Sequence, residues 1–250
     1  MIAISDSVFV DGDLPVLYLK RLDGIVMSDI HIGYEQDMAK RGIYIPNVQK
    51  KRFLSVYEKS LSTFNFKKLI INGDFKHTFE KLTKQEKDEL SEILSRTRED
   101  GIEVKVIKGN HDNYISLVVE KFDNVELMDS MEVDNFMITH GHKTIEKKDD
   151  KTFILGHEHP RLSIRDRIGY VKRFQVFLTI PVRDSSSKII VLPPVGTYQA
   201  GNDVTMFHSN YMSPLIRNYG SLENAKPYVI VEGEGIMEFP ELKLLRKIII

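Results

Sequence analysis

Between Asp29 and His159, side chains that bind cations recur, each time just after an apolar run. Asp29 and His31 follow Ile25–Met27 in SDIH, and Asp74 follows Leu69–Ile71 in NGDFKH. Asn110, His111 and Asp112 follow Val104–Ile107 in KGNHD. His140 closes FMITH, with His142 two residues on, and His157 and His159 form GHEHP after Phe153–Leu155. Alone, Asp29, Asp74 or Asn110 would read as a turn or a helix cap. The GNHD tetrad could equally be a turn and cap, or two ligands with an orienting carboxylate. Five such stretches at strand ends, where α/β sheets collect their sites, point instead to one shared centre. The chemistry that needs such a set is metal-assisted. Two divalent cations roughly 3.5–4 Å apart clamp both oxygens of an in-line phosphoryl displacement, and a hydroxide bridging them is the nucleophile.

The elements that must position these residues alternate in the first half. LDGIVMSD reads as a strand. NVQKKRFLSVYEKSLSTF puts Phe53, Leu54, Tyr57 and Leu61 on one helical face. KKLIINGD is a strand. TKQEKDELSEILSRTRED opens with a Thr83-x-x-Glu86 capping box and carries Leu90, Ile93 and Leu94 at helical spacing. GIEVKVIKGN is a strand again. Beyond NYISLVVEKF the pattern is strand-rich: VELM, FMITH, TFILGH, RLSI, FQVFLTI, KIIVLP, VTMFH, YVIVEGEGIMEF and the C-terminal LKLLRKIII, with IPVRDSSSK as a loop. Helices early and strands late predict a four-layer αββα sandwich: two mixed β-sheets with flanking helices, one domain over residues 1–250.

Composition narrows the chemistry. The 250 residues carry a net charge of −1, so no global field draws the chain to nucleic acid or acidic membranes. There is no cysteine, which excludes disulfides, thiolate nucleophiles and Cys-zinc sites. His, Asp and Asn donors suit Mn, Fe, Ni, Co or Zn. No apolar run is long enough for a membrane span, and MIAISDSVFVDGD lacks the basic start and apolar core of a signal peptide. The expected compartment is the cytoplasm. No Gly-rich phosphate loop precedes a Lys-Ser/Thr pair, so P-loop NTPases are excluded.

In order and spacing, SDIH, NGDFKH, KGNHD, THGH and GHEHP resemble the calcineurin-like metallophosphoesterase superfamily, from about Met27 to Pro160. RGIYIP, GDFKHTF and MSPLIR further resemble the Icc-like phosphoesterases of archaea and bacteria, which are related to the SbcD nucleases and include ligase-associated phosphodiesterases. The resemblance implies that Asp29, His31 and His159 bind one metal, that Asn110, His140 and His157 bind the other, and that Asp74 bridges them. It implies Mn as the best activator. It makes His111 the residue that contacts the phosphoryl group and protonates the leaving alkoxide, with Asp112 orienting its imidazole. The implied substrate is a phosphoester, a phosphodiester of a nucleotide or nucleic acid before a monoester of a small metabolite.

Other residues stay open. His77 either points back to the site or is structural, and His142 either meets substrate or is exposed. Tyr34 and Glu35 either line the mouth or pack. His208 has no motif around it. Arg161, Arg165, Arg167, Lys172, Arg173 and Arg183 either steer a nucleic-acid phosphate or form a solvated strand face, the latter preferred. Two other functions compete with a stand-alone hydrolase. One is an interaction scaffold, but such relatives lose ligands and every position here is filled. The other is a nuclease subunit working with an ATPase. LKLLRKIII is expected as a closing core strand, with pairing to a second copy in a homodimer as the alternative.

Overall fold

The computed structural model describes residues 1–165, 167–246 and 249. Among the described residues, seven strands form one sheet in chain order: β1 (Ile2–Ser5), β2 (Val8–Val10), β3 (Leu17–Leu19), β4 (Gly24–Met27), β5 (Lys68–Asn72), β6 (Glu103–Ile107) and β7 (Val125–Met128). Strands β4 to β7 run parallel. Helices α1 (Tyr34–Lys40), α2 (Gln49–Phe64), α3 (Lys84–Glu99) and α4 (Ser116–Val119) make the crossovers that parallel pairing demands. The second sheet holds β8 (Met131–Val133), β9 (Phe136–Ile138), β10 (Thr152–Leu155), β11 (Pro160–Arg165), β12 (Val171–Pro181), β13 (Lys188–Val191), β14 (Asn202–Asp203), β15 (Lys226–Val231) and β16 (Gly235–Glu238). It mixes parallel pairs such as β9–β10 with antiparallel ones such as β11–β12. Two short helices, α5 (Pro214–Tyr219) and α6 (Leu242–Leu245), lie beyond it.

The period-two alternation of strand side chains sorts the layers. Ile25, Met27, Leu69, Ile71, Val104 and Val106 pack with Phe53, Tyr57, Leu90 and Ile93 of α2 and α3. Their neighbours Val26, Ile70 and Ile107 face the other way and meet Ile138, Ile154, Phe177 and Ile190 of the second sheet. Phe153, Leu155, Leu178 and Val191 point outward again, under Leu215, Ile216, Leu242 and Leu245. The four layers are therefore helix, sheet, sheet, helix, as expected, with the last layer thin.

Three features depart from expectation. The antiparallel strands β1 to β3 extend the first sheet from a region with no strand assigned. VTMFH does not form a strand: β14 ends at Asp203 with a last backbone bond from the Val204 N–H to the Arg161 carbonyl at 2.7 Å, the Thr205 hydroxyl takes the Phe207 N–H at 3.2 Å, and His208–Asn210 forms a 3-10 turn. The start of LKLLRKIII is α6, because Leu242 and Leu245, spaced for one helical face, are the buried residues. Lys247, Ile248 and Ile250 of that stretch lie outside the described residues. No described helix is long and apolar enough to cross a membrane.

The carboxyl ends of β4, β5 and β6 meet those of β9 and β10. Buried Asn72, at the end of β5, stitches the two sheets there by donating to the carbonyls of Thr139 at 3.0 Å and Ile154 at 3.2 Å.

Candidate metal centre

Five of the seven candidate ligands leave their strands through a left-handed turn residue. Asp29, His31, Asp74, His157 and His159 all adopt positive φ, between 46° and 68°. Asp, Asn and His tolerate the left-handed region better than other side chains, yet it costs roughly 1–2 kcal/mol per residue. Backbone hydrogen bonds between the turns hold it. Ile30 and His31 N–H groups donate to the Asp74 carbonyl at 3.0 and 2.9 Å, and the Asp29 N–H donates to Gly73 at 3.1 Å. The Val195 and Gly196 N–H groups donate to the carbonyls of Ser28 and Asp29, both at 3.0 Å. Gly73 is required by close approach as well as by its φ of 85°: a Cβ there would lie 2.2 Å from His140 Nδ1.

The side chains converge into two trios. Asp29, His31 and His159 can offer ligand atoms within 4.8 Å of one another, and so can Asp74, His140 and His157. Asp74 Oδ2 lies between the trios, 3.7 Å from His31 Nε2 and 3.4 Å from His140 Nε2. Asp29 Oδ1 lies 3.0 Å from His159 Nε2. The Nε2 atoms of His31, His140 and His159 and Oδ1 of Asn110 are buried with no hydrogen-bond partner in the protein. Orphaned donors of this kind, aimed at one point, are what a cation requires and what a hydrophobic core excludes. The residues fit divalent metal ions.

Protonation follows from burial and charge. Burial drives His31 down to about 3 and His157 to about 4, so both imidazoles are neutral and able to ligate. His140 is also fully buried, but Asp74 and Asp29 outweigh the desolvation and hold it up at about 9. Burial disfavours the Asp29 carboxylate, and His159 and His140 more than compensate, bringing it to about 2. Asp74 is likewise held below the usual carboxylate range by His140, His31 and His111, against its own burial. The His140 ring is set by its Nδ1, which donates to the Asn72 carbonyl at 2.9 Å and turns Nε2 toward the carboxylates.

His111 stands at the cleft, its ring 5.0 Å from that of His31. Its Nδ1 meets the carbonyl of His77 at 2.5 Å, so a backbone oxygen fixes the imidazole. This corrects the role expected of Asp112. The Asp112 carboxylate instead accepts three backbone N–H groups: Phe75 at 2.9 Å, Lys76 at 3.2 Å and Gly109 at 2.8 Å. It ties the Asp74 turn to the Asn110–His111 turn. With little water near it and Asp74 beside it, its own pKa rises to about 6.

His77 belongs to the site. Its Nδ1 is 3.2 Å from His31 Nδ1 and its ring stacks on His111 at 5.2 Å and 17°. His142, half-buried, has its ring 5.4 Å from that of His140. Glu35 packs rather than lining the mouth: its carboxylate accepts the Val48 and Gln49 N–H groups, each at 2.8 Å, at the start of α2. His208 is structural, bonded to the Gly220 carbonyl at 2.9 Å. Two glutamates to which the sequence assigned no part in the site hold the centre. Glu86 of the capping box also accepts the N–H groups of His77 at 3.2 Å and Thr78 at 2.7 Å. Glu158, between two ligand histidines, accepts those of Met212 at 3.1 Å and Ser213 at 2.5 Å, joining GHEHP to MSPLIR. The capping-box pattern could have found the first; the second has no local signal.

Residues 25–210 match the model of the calcineurin-like phosphoesterase family. Among solved structures, the nuclease MPE of Pseudomonas putida is similar in fold, with a TM-score of 0.61 and 19% identity over 90% of this chain and 93% of that one. Yfce, a phosphoesterase from E. coli, aligns with a TM-score of 0.41 and 14% identity over 72% of this chain and 83% of its own. No curated protein matches the chain. The family match takes in every strand end that carries a candidate ligand, and the chain belongs to the calcineurin-like phosphoesterase family, a family of hydrolases.

Proposed function

We propose that the protein, as a single domain, hydrolyses phosphodiesters of nucleotides or nucleic acid with the help of two divalent cations, Mn best among them. The observation that carries this reading is the position of Asp74 Oδ2 between His31 Nε2 and His140 Nε2, at 3.7 and 3.4 Å, with a ligand trio on either side. Asp29, His31 and His159 would hold one ion and Asn110, His140 and His157 the other, with Asp74 shared. When bound, such ions supply Lewis acidity and lower the pKa of water.

The chain's own residues do the rest. The His77 carbonyl keeps the proton on His111 Nδ1, which leaves Nε2 of the imidazolium to give its proton to the departing alkoxide. Asp112 keeps the turn of His111 in register with Asp74 through its three N–H bonds. Among the described residues lining the cleft, a cavity of 470 Å³, none is lysine or arginine. Beyond the proposed cations, the cleft therefore offers no guanidinium or ammonium to a second phosphoryl charge, which supports a singly charged diester over a dianionic monoester.

The test is hydrolysis of bis-p-nitrophenyl phosphate and p-nitrophenyl phosphate, side by side, by stripped protein refilled with Mn. Diester turnover is expected to exceed monoester turnover. His111→Ala should lower it by about 100-fold or more with metal content intact, and Asp74→Asn should abolish it with loss of metal. A monoester preference would overturn the diester reading. No turnover at full metal occupancy would favour an interaction scaffold.

A further inference from the structure

One wall of the cleft is a ladder of rings. His111 stacks on His77 at 5.2 Å, His77 meets Tyr34 at 4.7 Å, and Tyr34 stacks on Tyr198 at 5.5 Å and 18°. All four residues line the cavity together with the candidate ligands His31, Asp74, Asn110, His157 and His159, and the ladder runs from the candidate acid to the rim. Its outer end is rigidly held. The Tyr198 hydroxyl donates to the Pro46 carbonyl at 2.6 Å, and the Thr197 N–H donates to Gln49 Oε1 at 2.8 Å. Arg161 donates to the Gln199 carbonyl at 3.0 Å, and the Asn202 N–H to that of the ligand His159 at 3.2 Å. Gln199 lines the same cavity at 7% exposure, and neither its amide nitrogen nor its oxygen has a partner in the protein.

Core packing does not account for this arrangement. Tyr34 and Tyr198 belong to none of the three hydrophobic clusters, and both are partly exposed to the cleft. A preorganised aromatic wall beside a phosphoester site, with an unsatisfied amide next to it, suits a flat heterocycle with a hydrogen-bonding edge. We infer that Tyr34, Tyr198 and Gln199 form a nucleobase subsite, which takes an unstacked base next to the scissile phosphate and makes single-stranded nucleic acid the preferred substrate. Duplex DNA keeps its bases stacked on one another and offers no free face to these rings. This inference rests on the phosphodiester reading and names its substrate.

The test is binding rather than turnover, so that it stands apart from the reaction. Fluorescence anisotropy would compare, on the Mn-loaded full chain, a short labelled oligothymidylate with hydrolysis-resistant phosphorothioate linkages and the same backbone carrying abasic sites. The base-bearing strand should bind about tenfold tighter or more. Tyr198→Ala and Gln199→Leu should each shrink that ratio, and Tyr198→Phe should keep most of it. Equal affinity for the two strands, no binding of either, or a ratio that survives Tyr198→Ala with Tyr34→Ala would overturn the subsite. Turnover of methyl p-nitrophenyl phosphate, which has no base, separately reports the reaction. If it fails while base preference holds, the hydrolytic reading falls and the subsite stands.

Discussion

Gly109 and Asp74 touch backbone to side chain: a Cβ on Gly109 would stand 2.1 Å from Asp74 Oδ1 and 2.3 Å from the Asp74 nitrogen. No rotamer change of Asp74 could relieve this, because the contact with its nitrogen is with backbone. The Asp74 carboxylate is also fixed by the His111 N–H at 2.9 Å, so the turn of Gly109 and the shared ligand move together. Gly109→Ala is therefore expected to weaken metal binding by about 10–100-fold. The chain should still fold, with stability lower by about 1–3 kcal/mol from overpacking. Metal content after dialysis and a thermal melt check the two parts. Full occupancy would mean that Asp74 does not hold metal.

Glu86 joins helix stability to the site. It caps α3 through Thr83, whose N–H donates to it at 2.8 Å, and holds the loop of His77 through two more N–H groups. Glu86→Ala leaves those donors without a buried acceptor, and a loss of about 2–4 kcal/mol is expected. Glu86→Gln keeps one carbonyl oxygen for the His77 and Thr78 N–H groups and should cost only about 1 kcal/mol. If the two variants melt alike, the carboxylate is not clamping the loop. A fall in turnover is expected for alanine, because the His77 carbonyl that fixes His111 moves with the loop.

Asp112→Asn separates two roles. An orienter of His111 would, when neutralised, shift the pH dependence of turnover. A clamp on Phe75, Lys76 and Gly109 would instead lower stability and metal affinity. Asparagine can face only some of these donors with oxygen and sets its own N–H against the rest. The expected outcome is a loss of about 1–3 kcal/mol with an unshifted pH profile. A displaced profile at unchanged stability would restore the orienting role.

These two roles mark how far the sequence is legible. The strand ends were readable because burial on both faces writes apolar runs, and ligands must follow where the chain turns out. The Thr83–Glu86 box was readable because it is local. The partners of Asp112 were not: Phe75 and Lys76 lie 37 and 36 residues away, and only folding brings them near. GNHD placed Asp112 next to His111 in sequence, but a turn points neighbouring side chains apart. His77 could not be assigned for the same reason, since its place depends on His31, 46 residues earlier. The strand expected over LKLLRKIII gave way to a helix at Leu242–Leu245 because a short apolar run fits either period until its burial partners are known.

His140 gives the last prediction. In metal-free protein its pKa is raised to about 9, while an unfolded histidine titrates near 6.5. A raised histidine contributes stability that is fully present below the unfolded value and is lost as pH rises through about 9. A cation needs the same Nε2 unprotonated, so binding must expel that proton. His31 and His157, held at about 3 and 4, have none to give at neutral pH. Titrating Mn into chelated protein near pH 7 should therefore release about one proton through His140. Its affinity should rise with pH and level off above about 9. Calorimetry in two buffers of different ionisation enthalpy counts the proton. His140→Gln should bind Mn weakly and without that release, and an unchanged count in this variant would place the proton elsewhere.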